Sequence, residues 1–234
     1  YGTMLHLAER RAAVEGPGPV RELMRSVRCC VSAGEPLPAA IFHRWQTLFG
    51  LEILDGIGST EMLQTFISNR PGRVRPGSSG EAVPGYAARI VDEKGRDVPR
   101  GTVGDLLIKG DSAAAFYWSR HQQSKETFLG EWVRTGDRYS QDADGYLGYA
   151  GRSDDMLKVG GIWVSPSEVE NALLSHPAVL ECAVVGARDR DEMVKPKAFV
   201  VLKDGSQPTE ECAEQLRAFV KKTIAPFKYP RWIE

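Results

Sequence analysis

Three short stretches of this chain carry side chains that could do chemistry together: Asp55-Gly56-Ile57-Gly58-Ser59-Thr60-Glu61, Arg134-Thr135-Gly136-Asp137, and Gly151 through Gly161, which includes Arg152, Asp154, Asp155 and Lys158. In the first, small residues let backbone approach a ligand, hydroxyls and amides can hold phosphate or carboxylate oxygens, and a carboxylate among them suits Mg²⁺. In the second, an acid at a strand end can accept from both hydroxyls of a ribose. In the third, Arg152 offers a fixed fork of donors, and the glycine pair Gly160-Gly161 permits close packing of a thin ligand. Each also has a plain structural explanation: a solvent-facing turn with Glu61 opening a helix, a turn aspartate satisfied by its own backbone, and a charged linker leading into a β-turn. Their order and spacing say more than any one of them.

The elements that must position these stretches can be read from the periodicity. A helix ends before Gly16-Pro17-Gly18-Pro19, an apolar strand covers Val27 to Val31, a helix covers Ala39 to Leu48, and a strand covers Leu51 to Leu54. Strands separated by a helix predict a parallel sheet, with ligands beyond the strand ends at Ser32-Ala33-Gly34-Glu35 and at Asp55 to Glu61. From about Gly77 to Ala150 short β-type runs (Ala87 to Val91, Gly104 to Lys109, Trp132 to Thr135, Tyr146 to Tyr149) read as a small antiparallel barrel or sheet. After Asp154 the pattern becomes α+β. Ser165, Pro166 and Glu168 form a capping box, followed by strands over Val179 to Val185 and Ala198 to Leu202 and a helix over Glu210 to Thr223.

Composition narrows the partners. The 30 basic and 31 acidic residues nearly cancel and form no long run of one sign, which argues against nucleic acid and anionic membrane surfaces. No stretch reaches the ~18 to 20 apolar residues of a bilayer span. Cys29, Cys30, Cys182 and Cys212 show no CxxC spacing, and Cys29 and Cys30 should point to opposite faces of a strand, so a reducing, cytoplasmic compartment is expected. The four histidines do not cluster; His176 before Pro177 reads as a helix-ending residue, and Trp45, Trp118 and Trp232 as packing residues. Asp154 and Asp155 are adjacent, a poor arrangement for two carboxylates on one ion.

Taken in order, Asp55 to Glu61, Trp132 to Asp137, and Gly151 to Gly161 with Ser165 to Glu170 resemble the motifs of the adenylate-forming enzymes: acyl- and aryl-CoA synthetases, peptide-synthetase adenylation domains and beetle luciferase. Ser32 to Pro38 resembles that superfamily's adenine-contacting segment, and Ala225 to Pro230 the approach to the end of its small domain. The resemblance implies an α/β fold: the end of a large amino-terminal α/β domain (residues 1–76), a small β-barrel-like subdomain (77–153), and a mobile, hinged α+β carboxyl-terminal domain (154–234) that is incomplete. It implies that Ala33, Gly34 and Glu35 line the adenine site together with Asp55, Gly56 and Ile57. Thr60 would touch the α-phosphate region, Glu61 would hold Mg²⁺, and Asp137 would bind the ribose with Arg152. Asp154 matches the hinge, and Lys158, Gly160 and Gly161 a segment that swings in for thioester formation beside the pantetheine tunnel.

The chemistry so implied joins an acid, ATP and coenzyme A. The carboxylate attacks the α-phosphorus, pyrophosphate leaves, and the CoA thiol then attacks the acyl-adenylate; charge developing on phosphoryl oxygens calls for Mg²⁺, donors and a lysine. Many members place an aromatic residue where this chain has Ile57. Ile57, with Phe66 to Gly72 and Ala225 to Glu234, looks like the benzoate and hydroxybenzoate CoA ligases, so the expected substrate is an aromatic carboxylic acid. Gly58 and Gln64 are expected to border its pocket, Gln64 standing where a histidine is common. The pyrophosphate-binding loop is expected upstream of Tyr1 and the terminal lysine beyond Glu234, so the chain alone is expected to be inactive, with a homodimer left open. Two rival expectations are an adenylation domain that loads a carrier protein and a non-catalytic relative that binds nucleotide or acyl-CoA.

Overall fold

The computed structural model describes residues 1–234, which form a mixed α/β structure of two compact units, Tyr1–Tyr149 and Ala150–Glu234. No helix is long and apolar enough to cross a membrane.

The first unit opens with α1 (Gly2–Glu15) and α2 (Pro17–Glu22), then β1 (Cys30–Ser32), α3 (Ala39–Phe49) and β2 (Ile53–Gly58). Strands β1 and β2 are parallel, joined through α3, with Ser32 opposite Asp55. Leu5, Phe42, Trp45 and Ile53 form the core beneath them. The β1 strand is shorter than its apolar run because Val27 to Cys29 are irregular; Cys29 is exposed and Cys30 buried.

The predicted parallel sheet extends no further. β2 continues through Gly56 and Gly58 and pairs antiparallel with β3 (Thr65–Ser68), which pairs antiparallel with β4 (Glu81–Ala82). The reason is spatial: a Cβ on Gly56 would lie 2.7 Å from the Ile67 carbonyl oxygen, and one on Gly58 2.7 Å from that of Gln64. These glycines let β3 close onto β2, so the glycine-rich stretch is strand rather than turn until Ser59.

Next come β5 (Ala87–Val91), β6 (Gly104–Lys109), α4 (His121–Thr127), β7 (Phe128–Leu129), β8 (Trp132–Gln141) and β9 (Leu147–Arg152). They make a five-stranded sheet in the order β5-β6-β8-β7, with β9 also on β8. Leu106 and Ile108 are fully buried in its centre and pack with Met62, Phe66 and Val133. That shared core fixes the Thr60–Met62 turn against the second sheet, because Met62 at 0% exposure anchors it.

In the second unit β10 (Leu157–Val159) and β11 (Ile162–Val164) form a hairpin, followed by α5 (Pro166–Leu174), β12 (Val179–Arg188), β13 (Val194–Leu202), α6 (Glu210–Thr223) and β14 (Trp232–Ile233). β12 and β13 are antiparallel, β13 and β14 parallel. Helix α6 follows from its sequence: Thr209 caps it by accepting from the Cys212 amide, acids occupy its first turn and lysines its last, and Ala213, Leu216 and Val220 face the core. Ser165 caps α5 by accepting from the Glu168 amide at 3.2 Å. The reciprocal half of the expected capping box is not made: the Glu168 carboxylate instead pairs with Lys228 at 2.6 and 2.5 Å, a contact between two opposite charges where the capping bond would have only one. His176 ends α5 as expected, its Nδ1 accepting from the Ala178 amide while its ring meets Phe219 edge-on.

Candidate functional site

The parallel register that sets Ser32 beside Asp55 brings the first two predicted segments together. Ala33, Gly34 and Glu35 leave β1 and line an open cleft of about 440 Å³ with Ser32, Pro36 and Leu37. Asp55 is 6% exposed at the back of this region, with the Leu37 amide 3.5 Å from its carboxylate. A second groove, about 360 Å³, runs over the sheet between Ser32, Gly56, Thr65, Ser68 and Arg70. Ser32 lines both; Ser68 and Arg70 belong to the Phe66 to Gly72 segment already picked out in the sequence, whereas Thr65 carried no signal there.

Burial raises the Asp55 carboxyl to about 6, outweighing hydrogen bonds from the Leu37 and Gly56 amides and the Ser32 hydroxyl that favour its charged form. The unfolded chain ionises this group near pH 4, so between about pH 4 and 6 the folded state holds the extra proton. Stability therefore falls as pH rises through that window, by on the order of 3 kcal/mol once both states are ionised. Asp55→Asn should raise the melting temperature of the chain clearly at pH 7.5 and little at pH 4.5; parallel pH profiles for the two proteins would contradict this.

Ser59, Thr60 and Glu61 follow β2 directly, and Thr60–Met62 forms a single 3-10 turn rather than the start of a helix. The Glu61 carboxylate accepts from the Tyr117 hydroxyl at 2.5 Å, and its backbone carbonyl accepts from the Ala114 amide at 2.7 Å. Burial, and then this contact with Glu61, push the Tyr117 phenol upward. Tyr117 carried no signal in the sequence beyond being an aromatic residue in a loop. Its neighbour Trp118, expected to be a packing residue, is 84% exposed. Leu63, which ends the turn, has φ 69° and is exposed, a sparsely populated conformation beside the candidate chemistry.

Asp137 lies within β8, not at a turn. Between the pairs Asp105–Arg138 and Leu107–Arg134, β6 has one residue and β8 three, so Thr135-Gly136-Asp137 form a bulge, with Gly136 at φ 78°. Bulges re-aim side chains; here the Asp137 amide donates to Thr135 Oγ1 and the Asp137 side chain is 8% exposed. Buried Tyr139, hydrogen-bonded to Ser79 at 3.0 Å, feels both the Asp137 and Asp55 carboxylates, which raise its phenol further beyond the effect of burial. The carboxylates of the first and second clusters therefore both act electrostatically on one phenol inside the first unit.

The third cluster lies in the second unit. Asp154 sits in an exposed turn closed by the Asp155 amide on the Arg152 carbonyl. Lys158 is on β10 with its ammonium 5.6 Å from the Trp163 ring centre. Gly160 and Gly161 are the two-residue turn of the β10–β11 hairpin, with φ 57° and 85°. A turn of that kind wants glycine at both places, so the pair has a conformational reason for being there independent of any ligand.

Donor chemistry at Glu61 fits Mg²⁺. One carboxylate with neighbouring hydroxyls, in a partly open turn, is the kind of all-oxygen partial shell that this ion completes with water and phosphate.

Comparison with known proteins gives the family. Residues 3–118 match the family of AMP-binding enzymes, and residues 168–234 match the AMP-binding enzyme C-terminal domain. The chain is 56% identical to a benzoate–CoA ligase of Thauera aromatica over 89% of its own length and 40% of the relative's. It is 50% identical to a 4-hydroxybenzoate–CoA/benzoate–CoA ligase of Rhodopseudomonas palustris, again over 89% of the chain and 39% of the relative. Among solved structures it resembles an anthranilate CoA ligase in complex with anthranoyl-AMP (TM-score 0.85, 53% identity, covering 89% of this chain and 40% of that one). It also resembles a benzoate CoA ligase of Burkholderia xenovorans (TM-score 0.84, 56% identity, 89% and 42%). The chain thus spans about two fifths of the length of these relatives, and it belongs to the AMP-binding enzymes of the adenylate-forming superfamily.

Proposed function

We propose that this chain supplies the nucleotide-binding and thioester-forming elements of an ATP-dependent aryl-acid CoA ligase, which converts a benzoate-like acid first to an acyl-adenylate and then to an aryl-CoA. The observation that carries the reading is the register of Ser32 against Asp55, which sets the Ala33-Gly34-Glu35 cleft beside the segment ending in Thr60 and Glu61. Identity to ligases named for benzoate and 4-hydroxybenzoate supports an aromatic acid.

In this reading Ala33, Gly34, Glu35, Asp55, Gly56 and Ile57 receive the adenine, and Asp137 and Arg152 the ribose. Thr60 donates to the α-phosphate region, where charge develops as the acid attacks. Glu61 holds Mg²⁺, which when bound neutralises charge on the phosphoryl oxygens. Gly58 and Gln64 border the acid. Residues 1–76 end the large α/β domain, 77–153 form a barrel-like subdomain, and 154–234 form a mobile domain that turns about Asp154 to bring Lys158, Gly160 and Gly161 to the second step.

The test is an assay of the ligase that contains this chain, with ATP, Mg²⁺, CoA and a panel of substituted benzoates and medium-chain acids. Formation of AMP and an aryl-CoA, with benzoates preferred over medium-chain acids, is expected. Transfer to a phosphopantetheinylated carrier but not to CoA, or binding of nucleotide without turnover, would refute the reading.

A further inference from the structure

Gln64 Nε2 lies 2.8 Å from the Tyr86 hydroxyl, which lies 2.7 Å from Ser112 Oγ, which in turn lies 2.7 Å from the Met62 carbonyl oxygen. A carbonyl can only accept, so the Ser112 hydroxyl must donate to it. Ser112 then accepts from Tyr86, and Tyr86, having donated its proton, accepts from Gln64. The backbone of Met62 thereby fixes the polarity of the whole relay and the amide orientation of Gln64: its NH₂ faces Tyr86, which leaves its Oε1 as the acceptor. The relay is built into the packing. The Tyr86 ring lies against the core beside Phe66. Position 110 must be glycine for it to do so, since a Cβ there would lie 2.4 Å from the ring. Gln64 itself is exposed, and its backbone carbonyl rests on Gly58, the residue just before Ser59-Thr60-Glu61.

We propose that Gln64 reads the ring substituent of the acid, favouring aryl carboxylates that carry a hydroxyl or amino hydrogen-bond donor over unsubstituted benzoate, and that Tyr86, Ser112 and Gly110 are positioning residues that hold it in the accepting orientation. This rests on the ligase reading and on Gln64 bordering the acid. In that reading the acid's carboxylate meets Thr60 and its ring borders Gly58 and Gln64, whose backbones are in contact. There an amide carbonyl rewards a donor and gains nothing from a bare C–H edge.

The experiment measures kcat/KM of the ligase that contains this chain for benzoate, the hydroxybenzoate isomers and 2-aminobenzoate. One neutral hydrogen bond is worth about tenfold, so at least one donor-bearing acid should exceed benzoate by about that factor. Gln64→Leu should abolish the ratio, and Tyr86→Phe, Ser112→Ala and Gly110→Ala should each lower it several-fold, chiefly through KM. Ser112→Thr, which keeps the hydroxyl, should retain it. A merely structural role would slow all acids together and leave the ratio intact. If the wild type turns over benzoate as well as every donor-bearing acid, or if the ratio survives Gln64→Leu or Tyr86→Phe, the inference fails while the ligase reading stands. No turnover of any aryl acid would sink both.

Discussion

Replacing Glu61 with glutamine in the ligase that contains this chain is expected to lower kcat/KM for acyl-adenylate formation roughly 10²- to 10³-fold and to raise the Mg²⁺ concentration needed for half-maximal rate. The size follows from losing one full charge at a site where phosphoryl oxygens gain charge in the transition state, on the order of 3 to 4 kcal/mol. The substitution keeps the contacts that hold the turn in place. Met62 at 0% exposure holds the turn down, the Ala114 amide holds the Glu61 carbonyl, and the Tyr117 hydroxyl can donate to a glutamine oxygen as it does to the carboxylate. Shape is kept and charge is removed.

Tyr117→Phe separates orientation from charge. It leaves the carboxylate but removes the hydroxyl that donates to it, so a smaller loss of about tenfold is expected, within the range seen when a partner orienting a metal ligand is removed. ATP–pyrophosphate exchange measured across a Mg²⁺ titration reads both variants, and binding of Mn²⁺ with ATP, followed by the ion's magnetic resonance signal, reads the metal without turnover. A Glu61→Gln enzyme with wild-type exchange and unchanged metal dependence would remove Glu61 from the metal site.

Elements whose cause is local were legible in the sequence. The helix over Glu210–Thr223 and the strands over Ala87–Val91 and Gly104–Lys109 have the expected bounds because cap, charge placement and apolar period all lie within them. Features set by distant chain were not. Gly56 and Gly58 read as a ligand-facing turn, because nothing in their own segment reveals that β3 closes onto them. Glu168 fits a capping box until Lys228, sixty residues on, takes its carboxylate. The same holds at the site. Asp55, Thr60, Glu61 and Asp137 stand in contiguous motifs and could be named, whereas Tyr117 meets Glu61 across 56 residues and Tyr86 meets Gln64 across 22, and pairings of that kind leave no spacing to read.

Gly80→Ala is expected to destabilise the first unit by about 4 kcal/mol or more, a fall in its melting temperature of about 10 °C or more. Gly80 has φ 99°, and a Cβ there would lie 2.1 Å from the Ser68 carbonyl carbon and 2.2 Å from both the Ser68 oxygen and the Asn69 nitrogen. All three are backbone atoms at the end of β3, so no side-chain rotation can relieve the overlap. Gly80 cannot retreat either, because its carbonyl accepts from the Leu147 amide and its amide donates to Ser78 Oγ. Gly85 provides the contrast. Its φ is 92° but a Cβ would meet nothing within 4 Å, so Gly85→Ala should cost only the left-handed backbone strain, about 1 to 2 kcal/mol. The difference between the two variants isolates the overlap from the dihedral. It also bears on the site: Asn69 donates to the Asp55 carbonyl at 3.1 Å and to the Ser78 carbonyl at 2.6 Å, so chain displaced at Gly80 pulls on the strand that carries Asp55 to Gly58. Thermal unfolding of both variants decides the matter, and equal losses for Gly80→Ala and Gly85→Ala would mean that the close approach of Gly80 to Ser68 contributes nothing.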